Sequence, residues 1–479
     1  MNESVRRGGT RYLRRFRRAE DRDLPSPQLA DETKWYTEHT ALLISTLKWA
    51  FLGASAGVCV GLGTRGFLWS LEASGSLVRA WTQGMFSPYW LLPLALPICV
   101  WLIRTFAPEA RGHGTEAVIT AVHQRSGRIN WQVAPVKLLA TVITLAFGGS
   151  VGKEGPAAQI GASLTSLFSD LLRLKDEDRR RLVICGISAG FASVFGTPIS
   201  GALFGIEVLY LGRIDYTVLF PSLLAGIVGH LVCGVRAPFP VLQDAFGGMG
   251  QTKIVLVTLL SGVAFGLIAL MLIESMRGLE KVLRRFKEHP YLVAVVGGLF
   301  LVALYSVAGE RYSGLGVATI EGTLTGALRV VSIAFLVKIV ATSVTLESGG
   351  SGGIVTPIFF IGATSGAALA HLFGLPQPLL AAFGFVALLA AGANTPIAAA
   401  VMGIEILPHT EGIYAALAAC TAFLIVGHRS VYASQKLGFS KSAGLDLELG
   451  GTIGEVRRKG VRIKKGSLTD RIHNLGKRP

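Results

Sequence analysis

The sequence has few charged residues and few cysteines. Only 16% of its 479 residues are charged, 51% are hydrophobic, and the mean hydropathy is +0.52. A soluble protein of this size needs far more charge to cover its surface. The five cysteines stand singly in apolar stretches, without the paired spacing of a disulfide framework or a zinc site. The composition therefore excludes a soluble globular protein and predicts a membrane protein.

Apolar runs occupy most of the chain between residues 41 and 428. Many are long enough to span, or half-span, a hydrocarbon core of about 30 Å. Because backbone polar groups in lipid must be satisfied internally, runs of this kind form helices. We therefore predict an all-α polytopic membrane protein. The clearest runs are 41–63, 90–106, 254–273 and 291–307.

Acidic residues are also scarce, with 30 Asp and Glu against 46 Lys and Arg, so the formal net charge is +16. The first 18 residues hold seven Arg and one Glu, and the last 25 hold nine Lys or Arg and two acids. Positive segments beside membrane spans stay cytoplasmic, so both termini are expected inside, in the plasma (inner) membrane of the cell. Topology accounts for this charge, and no nucleic-acid partner is expected.

The N-terminus lacks the short apolar core and cleavage site of a signal peptide, so no cleavage is expected.

The chain matches itself when it is shifted by 201 positions. The segment PVKLLATVITLAFGGSVGKEGPAAQIGA (135–162) lies over LVKIVATSVTLESGGSGGIVTPIFFIGA (336–363), with fourteen of 28 positions identical. Downstream, TPISGALFGIE (197–207) matches TPIAAAVMGIE (395–405) at an offset of 198. Matched segments in the same order indicate two homologous halves.

The repeat divides the chain into four parts. A period near 200 residues is far longer than the period of about 20 to 50 residues in solenoids. Secondary transporters often contain such halves, with the substrate site at their interface near the bilayer midplane. The predicted parts are a cytoplasmic basic segment, 1–39; a first membrane repeat, 40–240; a second membrane repeat, 252–440; and a cytoplasmic basic tail, 441–479.

Glycine-rich clusters followed by proline recur at matching places in the two halves. Glycine frees the backbone and proline suits the first helical turn, so each cluster predicts a helix start inside the membrane. Such an N-terminus presents unpaired N–H groups and partial positive charge, which attract an anion. The first cluster is not a nucleotide-binding P-loop, because three residues separate Gly148 from Gly152 and Lys153 is followed by Glu. We predict an anion site without a cofactor and, in the absence of a metal or nucleophile motif, no enzymatic activity.

One carboxylate, Glu154, falls inside the first cluster, where an anion should bind. Intramembrane carboxylates are candidates for function. When ionised, Glu154 can occupy the anion position itself; when protonated or displaced, it opens the way. The alternative interpretation is a salt bridge between Lys153 and Glu154.

Four motifs together resemble the CLC family of chloride channels and proton/chloride exchangers. They are GKEGP at 152–156, GGIVTP at 352–357, GIEV at 205–208 and SVY at 430–432. The resemblance implies a CLC-type fold of two inverted structural repeats with many tilted and half-spanning helices. It also implies a homodimer with one anion pathway per subunit. The nucleotide-binding (CBS) modules that many members carry after the last helix are not expected in this tail.

The resemblance implies roles for individual residues. Glu154 matches the gating glutamate, and Tyr432 matches the inner-gate tyrosine whose hydroxyl points at the central anion. The amides of Ile354 and Val355 match those that hold that anion, although Val stands where Phe is usual. The gating or proton-carrying residues are Glu154 and Glu207, and the predicted anion site comprises His113, Gly114, Gly152, Gly155, Gly353, Ile354, Val355, Thr356 and Tyr432.

Two departures from the family pattern bear on selectivity and mechanism. The family's GSGIP reads GHGTE here, so His113 replaces a serine that contacts the anion, and Glu116 follows. Exchangers usually have two acids where this chain has Glu207 and Val208, whereas known channel members share the Glu-Val pair. We therefore expect a passive Glu-gated chloride channel, with proton-coupled exchange of chloride, another halide or nitrate as the alternative. An alternative interpretation of Glu207 and its repeat mate Glu405 is that they cap helix ends.

Overall fold

The computed structural model of the chain describes residues 34–82, 85–235, 246 and 248–475. It divides into a short unit that ends at Trp49 and a large unit, Ala50–Pro479, which holds every residue of the candidate site. Within the described residues the chain is mainly α-helical, as the composition predicts. Four strands of two residues each are also present. Most of the predicted N-terminal segment, 1–39, lies outside the described residues.

The helices of the first half begin and end at residues whose backbone chemistry sets the boundary. Gly196 ends α6 in the left-handed conformation, with φ +70°, and Pro198 then opens α7. The helices are α1 (Lys34–Thr82), α2 (Leu92–Phe106), α3 (Thr115–Gln124), α4 (Val133–Ala146), α5 (Glu154–Leu171), α6 (Asp176–Phe195), α7 (Pro198–Glu207) and α8 (Leu219–Cys233).

The second half repeats this order and its boundary chemistry. Asn394, with φ +54°, ends α14 as Gly196 ends α6, and Pro396 opens α15 as Pro198 opens α7. The helices are α9 (Gln251–Leu283), α10 (Pro290–Ala308), α11 (Val317–Leu324), α12 (Ala334–Glu347), α13 (Val355–Phe373), α14 (Gln377–Ala393), α15 (Pro396–Ile406) and α16 (His409–Ile425).

The chain contains both long and short apolar helices. Several short ones, including α4, α14 and α15, are apolar but have only 10 to 17 residues, which suits half-spanning segments. Among the described residues six helical stretches are long and apolar enough to cross a bilayer: Tyr36–Thr82, Pro88–Phe106, Tyr216–Cys233, Gln251–Phe286, Pro290–Ala308 and Val355–Phe373. The predicted mixture of spanning and half-spanning helices is confirmed.

The buried helix pairs of the two halves pack through glycine. A Cβ on Gly161 of α5 would lie 2.5 Å from the carbonyl oxygen of Gly186 of α6. The matching position in the second half, Gly362 of α13, is as close to α14, because a Cβ there would lie 2.2 Å from the carbonyl oxygen of Gly384. Small residues at these crossings let the backbones touch, as in other membrane helix pairs.

The two halves meet at their glycine clusters. The N–H of Gly152 donates to the carbonyl of Gly353, and the N–H of Gly353 donates to the carbonyl of Gly152, both at 2.6 Å. This antiparallel bridge joins the segments that enter α5 and α13. Both helix N-termini are therefore held at the interface between the halves.

The chain after α16 folds back against the first half. Strand β2 (Lys436–Leu437) pairs in parallel with β1 (Tyr210–Leu211), which follows α7. A second pair, β3 (Leu445–Asp446) with β4 (Arg462–Ile463), flanks α17 (Ile453–Lys459), and α18 (Leu468–Leu475) follows. Thr452 caps α17 in a reciprocal hydrogen-bonded box with Glu455, whose pKa those bonds lower.

Candidate anion site and gate

Glu154 is the first residue of α5 and is buried. Its carboxylate accepts the N–H of Thr356 at 3.0 Å and the hydroxyl of Thr356 at 2.5 Å. Thr356 lies in the first turn of α13, so the carboxylate of one half sits on the helix N-terminus of the other. Both hydrogen bonds go to Thr356 rather than to Lys153. The carboxylate thus occupies donors that could otherwise serve an anion.

The predicted glycines come together around this carboxylate because each allows a close approach of backbones. A Cβ on Gly155 would lie 2.1 Å from the carbonyl oxygen of His113, and one on Gly353 would lie 2.7 Å from the amide nitrogen of Gly155. A Cβ on Gly152 would lie 2.5 Å from Oε2 of Glu154. Gly114, with φ +87°, packs on the carbonyl of Gly155. The starts of α3, α5 and α13 are therefore in contact.

Ile354 and Val355 form the entrance of α13. Ile354 is the residue before the helix, Val355 is its first residue, and both are fully buried. First-turn N–H groups have no partner inside their own helix, so these amides remain available to a bound anion. The structure places them next to Thr356, and thus next to the carboxylate that covers this helix end.

His113 and Tyr432 lie side by side on another part of the site. Their ring centroids are 5.4 Å apart, at an interplanar angle of 54°. Within the described part of the chain, the Tyr432 hydroxyl and Nδ1 of His113 are buried without a hydrogen-bond partner. Unsatisfied buried polar atoms in a folded protein call for a ligand or water. The two residues, distant in sequence, are therefore neighbours in the structure.

Gln159 is a site residue that the sequence analysis missed. Its Nε2 donates to the carbonyl of Glu109 at 2.8 Å, and its Oε1 is buried without a partner among the described residues. The Oε1 atom lies 3.3 Å from the Cβ position of Gly114. Gln159 lies four residues after Gly155, on the same helical face, so periodicity could have identified it.

Two buried lysines were also missed, although they match in the repeat. Lys137 Nζ donates to the carbonyl of Gly112 at 2.5 Å, and Lys338 Nζ donates to that of Gly314 at 2.8 Å. Both side chains are fully buried. Each lysine therefore fixes the glycine turn before α3 or α11. The sequence signal that could have identified them is the presence of identical lysines inside matching apolar runs.

Glu116, the last residue of the GHGTE motif, lies in the first turn of α3. Its Oε1 accepts the N–H of Ser434 at 2.8 Å, and Ser434 follows Tyr432 by two residues. Its Oε2 is buried and has no partner among the described residues. Glu116 therefore ties the segment that carries Tyr432 to the start of α3.

Glu207 and Glu405 cap each other's helices. Glu207, at the end of α7, accepts the N–H groups of Ile397 (3.1 Å) and Ala398 (2.8 Å) at the start of α15. Glu405 in α15 accepts the N–H groups at the start of α7, those of Ile199 (3.0 Å) and Ser200 (2.8 Å). The arrangement matches the capping interpretation, since carboxylates stabilise helix N-termini.

We expect Glu207→Ala to destabilise the protein by about 1–3 kcal/mol, because it removes the acceptor of two N–H groups at the start of α15. Glu405→Ala should have a similar effect, since it breaks the mirror contact. The check is the thermal midpoint of both variants in detergent, with anion flux in liposomes beside it. Loss of flux in Glu207→Ala alone, with an unchanged midpoint, would instead show a direct role in transport.

Comparisons with known proteins identify the family and several relatives of this chain. The family profile of voltage-gated chloride channels matches residues 94–427. A chloride/fluoride channel protein of Pseudomonas syringae pv. tomato is 36% identical over 414 residues, covering 84% of this chain and 90% of that protein. An H(+)/Cl(-) exchange transporter, ClcA, of Vibrio parahaemolyticus is 27% identical over 378 residues, covering 75% and 79%.

A solved structure shows the same fold. The crystal structure of a CLC-type fluoride/proton antiporter superposes with a TM-score of 0.75 at 27% identity, covering 82% of this chain and 98% of that one. The resemblance inferred from the four motifs and the expected fold class are confirmed. This chain belongs to the CLC family of voltage-gated chloride channels and related transporters.

Proposed function

We propose that this protein is a passive channel, gated by Glu154, that carries chloride and fluoride across a membrane. The observation that carries the proposal is the pair of hydrogen bonds between the Glu154 carboxylate and Thr356 at the start of α13. The same donors suit a small anion, so gate and anion compete for one place. The chloride/fluoride channel protein among the relatives supports both ions as substrates.

Two features support passive conduction rather than proton coupling. Val208 is fully buried and aliphatic, so it cannot carry a proton at the position where exchangers of the family usually have an acid. Both oxygens of the neighbouring Glu207 accept amides of α15. Helix capping therefore accounts for the place of Glu207 without a role in proton transfer.

Proton-coupled exchange is the second candidate, and one buried atom favours it. Oε2 of Glu116 lacks a partner in the described part of the chain, beside the segment that carries Tyr432. This carboxyl could accept a proton in place of an acid at Val208. The exchange transporter and the fluoride/proton antiporter among the similar proteins support this candidate.

The deciding experiment measures reversal potential with purified protein in liposomes under crossed anion and proton gradients. A passive channel reverses at the Nernst potential of the anion, whatever the proton gradient. An exchanger reverses at a potential that the proton gradient shifts, and Glu116→Gln should then remove the shift. Chloride and fluoride are tested in separate vesicles. Wild-type protein that moves neither anion would overturn the proposal.

We also propose that two copies assemble, each with its own pathway, through α7, α8, α15 and α16. The helix pairs α7–α8, α7–α15 and α15–α16 pack together, and they expose large apolar side chains. The resemblance to the family favours a second copy as the partner. Subunit counting by single-molecule photobleaching in lipid should give two, and a count of one would contradict this assembly. The exposed residues include Ile199, Phe220, Ile227, Leu231, Ile397, Ile404 and Ile413.

We further propose that both termini lie in the cytoplasm and that the protein resides in the cell's inner membrane. The basic composition of the two ends supports this orientation. Reporter fusions at each terminus that are active only in the cytoplasm should both be active.

A further inference from the structure

We propose that Thr144 and Thr345 are positioning residues that clamp the two anion-binding loops across the repeat interface. The first loop, 148–153, leads into α5 and Glu154, and the second, 349–354, leads into α13. Each threonine belongs to one half and holds the loop of the other. The effect on anion binding rests on the proposed function, whereas the hydrogen-bond pattern does not.

The hydroxyls make the contacts that cross between the halves. Oγ1 of Thr345 accepts the N–H of Ser150 at 3.1 Å, and Oγ1 of Thr144 accepts the N–H of Ser351 at 3.0 Å. Each hydroxyl donates its own hydrogen to the carbonyl four residues earlier in its helix, at 2.8 Å for Thr144 and 2.7 Å for Thr345. A hydroxyl has one hydrogen, which each threonine donates to that carbonyl, so its oxygen is left to accept the N–H of the loop.

The backbone of the same threonines holds the loop of its own half. The carbonyl of Thr144 accepts the N–H of Gly149 at 2.7 Å, and the carbonyl of Thr345 accepts the N–H of Gly350 at 2.9 Å. A Cβ on Gly149 would lie 2.5 Å from Cγ2 of Thr144, so side chain and loop are in close contact. Each threonine thus contacts both loops, one through its hydroxyl and the other through its carbonyl, and so sets the distance between them.

A second pair of threonines supports the clamp one turn earlier. The hydroxyls of Thr342 and Ser150 are 2.9 Å apart, and those of Thr141 and Ser351 are 3.2 Å apart. All four side chains are fully buried, so water does not replace these bonds. Each serine is consequently held at both its amide and its hydroxyl.

The clamp lies directly before the reciprocal bridge between Gly152 and Gly353. Removing one hydroxyl leaves a buried N–H without an acceptor, which favours loop conformations that reach water. The crossed arrangement makes a specific forecast. A change at Thr144 in the first half should loosen the second-half loop, and a change at Thr345 should loosen the first-half loop.

Hydrogen–deuterium exchange of the full-length protein in lipid nanodiscs tests this forecast. We expect Thr144→Val to speed exchange in 349–354 by about tenfold, with little change in 148–153. Thr345→Val should give the reverse. Thr144→Ser and Thr345→Ser keep the acceptor and should restore wild-type exchange. The matched control is Thr258→Val in α9, a fully buried threonine whose hydroxyl donates to its own helix.

Halide binding by calorimetry supplies the functional readout. The affinity of Thr144→Val for chloride should fall by about tenfold, because the amides of α13 lose their fixed place. Thr345→Val should alter the pH profile of flux, because its loop carries Glu154. If a valine variant fails to fold, Thr141→Val removes only the hydroxyl pair and should speed exchange in 349–354 more weakly.

The proposal is overturned if each valine variant changes exchange only in the loop of its own half, or in neither loop. In that case its exchange in the loop of the other half is the same as that of the control Thr258→Val. Serine variants that exchange like the valine variants would also overturn it. Wild-type protein that binds no halide would refute the proposed function instead, and the exchange results would still decide the clamp.

Discussion

Glu154→Gln should conduct anions at a high rate at all external pH values, whereas the wild-type flux should rise as the external pH falls. Protonation removes the charge that holds the wild-type side chain on Thr356, and glutamine mimics that neutral state. Charge-assisted hydrogen bonds contribute about 1.5–3 kcal/mol each. Loss of the charge should therefore raise the flux near neutral pH by about tenfold or more. Flux is measured as chloride efflux from liposomes between pH 4 and 8.

The matched control for this experiment is Glu405→Gln. Glu405 is also a carboxylate on two helix N-terminal amides, those of Ile199 and Ser200. We expect its pH profile of flux to follow the wild type. Thr356→Val, which removes one of the two donors that hold Glu154, should raise the flux partway. Wild-type pH dependence in Glu154→Gln would assign the gate to another residue, with His113 and Glu207 the next to test.

Gly155→Ala should abolish transport or prevent folding. The added Cβ would lie 2.1 Å from the carbonyl oxygen of His113 and 3.0 Å from Cα of Gly353, and both are backbone atoms that cannot move independently. Overpacking costs about 1–3 kcal/mol where neighbours can shift, and more where they cannot. We expect anion flux to fall by more than about tenfold and the thermal midpoint to fall with it. Size-exclusion profile, thermal midpoint and flux are measured together.

Two control glycine variants separate an effect on the candidate anion site from a general loss of stability. A Cβ on Gly278 of α9 has no neighbouring atom within 4 Å in the described structure, so Gly278→Ala should keep flux and stability. Gly161→Ala also clashes with backbone, at 2.5 Å from the oxygen of Gly186, but away from the loops. It should lower the thermal midpoint while the remaining folded protein keeps its chloride affinity. Normal flux in Gly155→Ala would contradict the tight junction of α3, α5 and α13.

The membrane class and the repeat are properties that the sequence determines by itself, and the sequence also identifies Glu154 as the candidate gate. Hydrophobicity sets the class because lipid excludes unpaired backbone and charge. The offset of 201 between matching segments identifies the two halves without any structure. Glu154 stands out because a carboxylate in an apolar, glycine-rich run is costly and so needs a reason. Each of these signals is local, or is a direct comparison of one segment with another.

Only the tertiary structure decides which residues of one half contact which residues of the other. Local sequence predicts that helices start at Glu154 and Val355, but not that the Glu154 carboxylate lies on Thr356 about 200 residues away. The place of Gln159 beside Gly114 and that of Glu116 beside Ser434 depend likewise on how helices dock. Hydrophobic periodicity records which face of a helix is buried, but not which partner covers it.

The same limit applies to the crossed contacts. Both Thr144 and Thr345 have ordinary helical surroundings in sequence, and nothing local distinguishes a hydroxyl that accepts an amide from the other half. The repeat makes a symmetric pair predictable, whereas its crossed form follows from the reciprocal bridge between Gly152 and Gly353. Sequence alone therefore identifies most residues of the candidate anion site. The packing of the two halves decides which of these residues contact each other, because the hydrogen bonds between the halves join residues that only folding brings together.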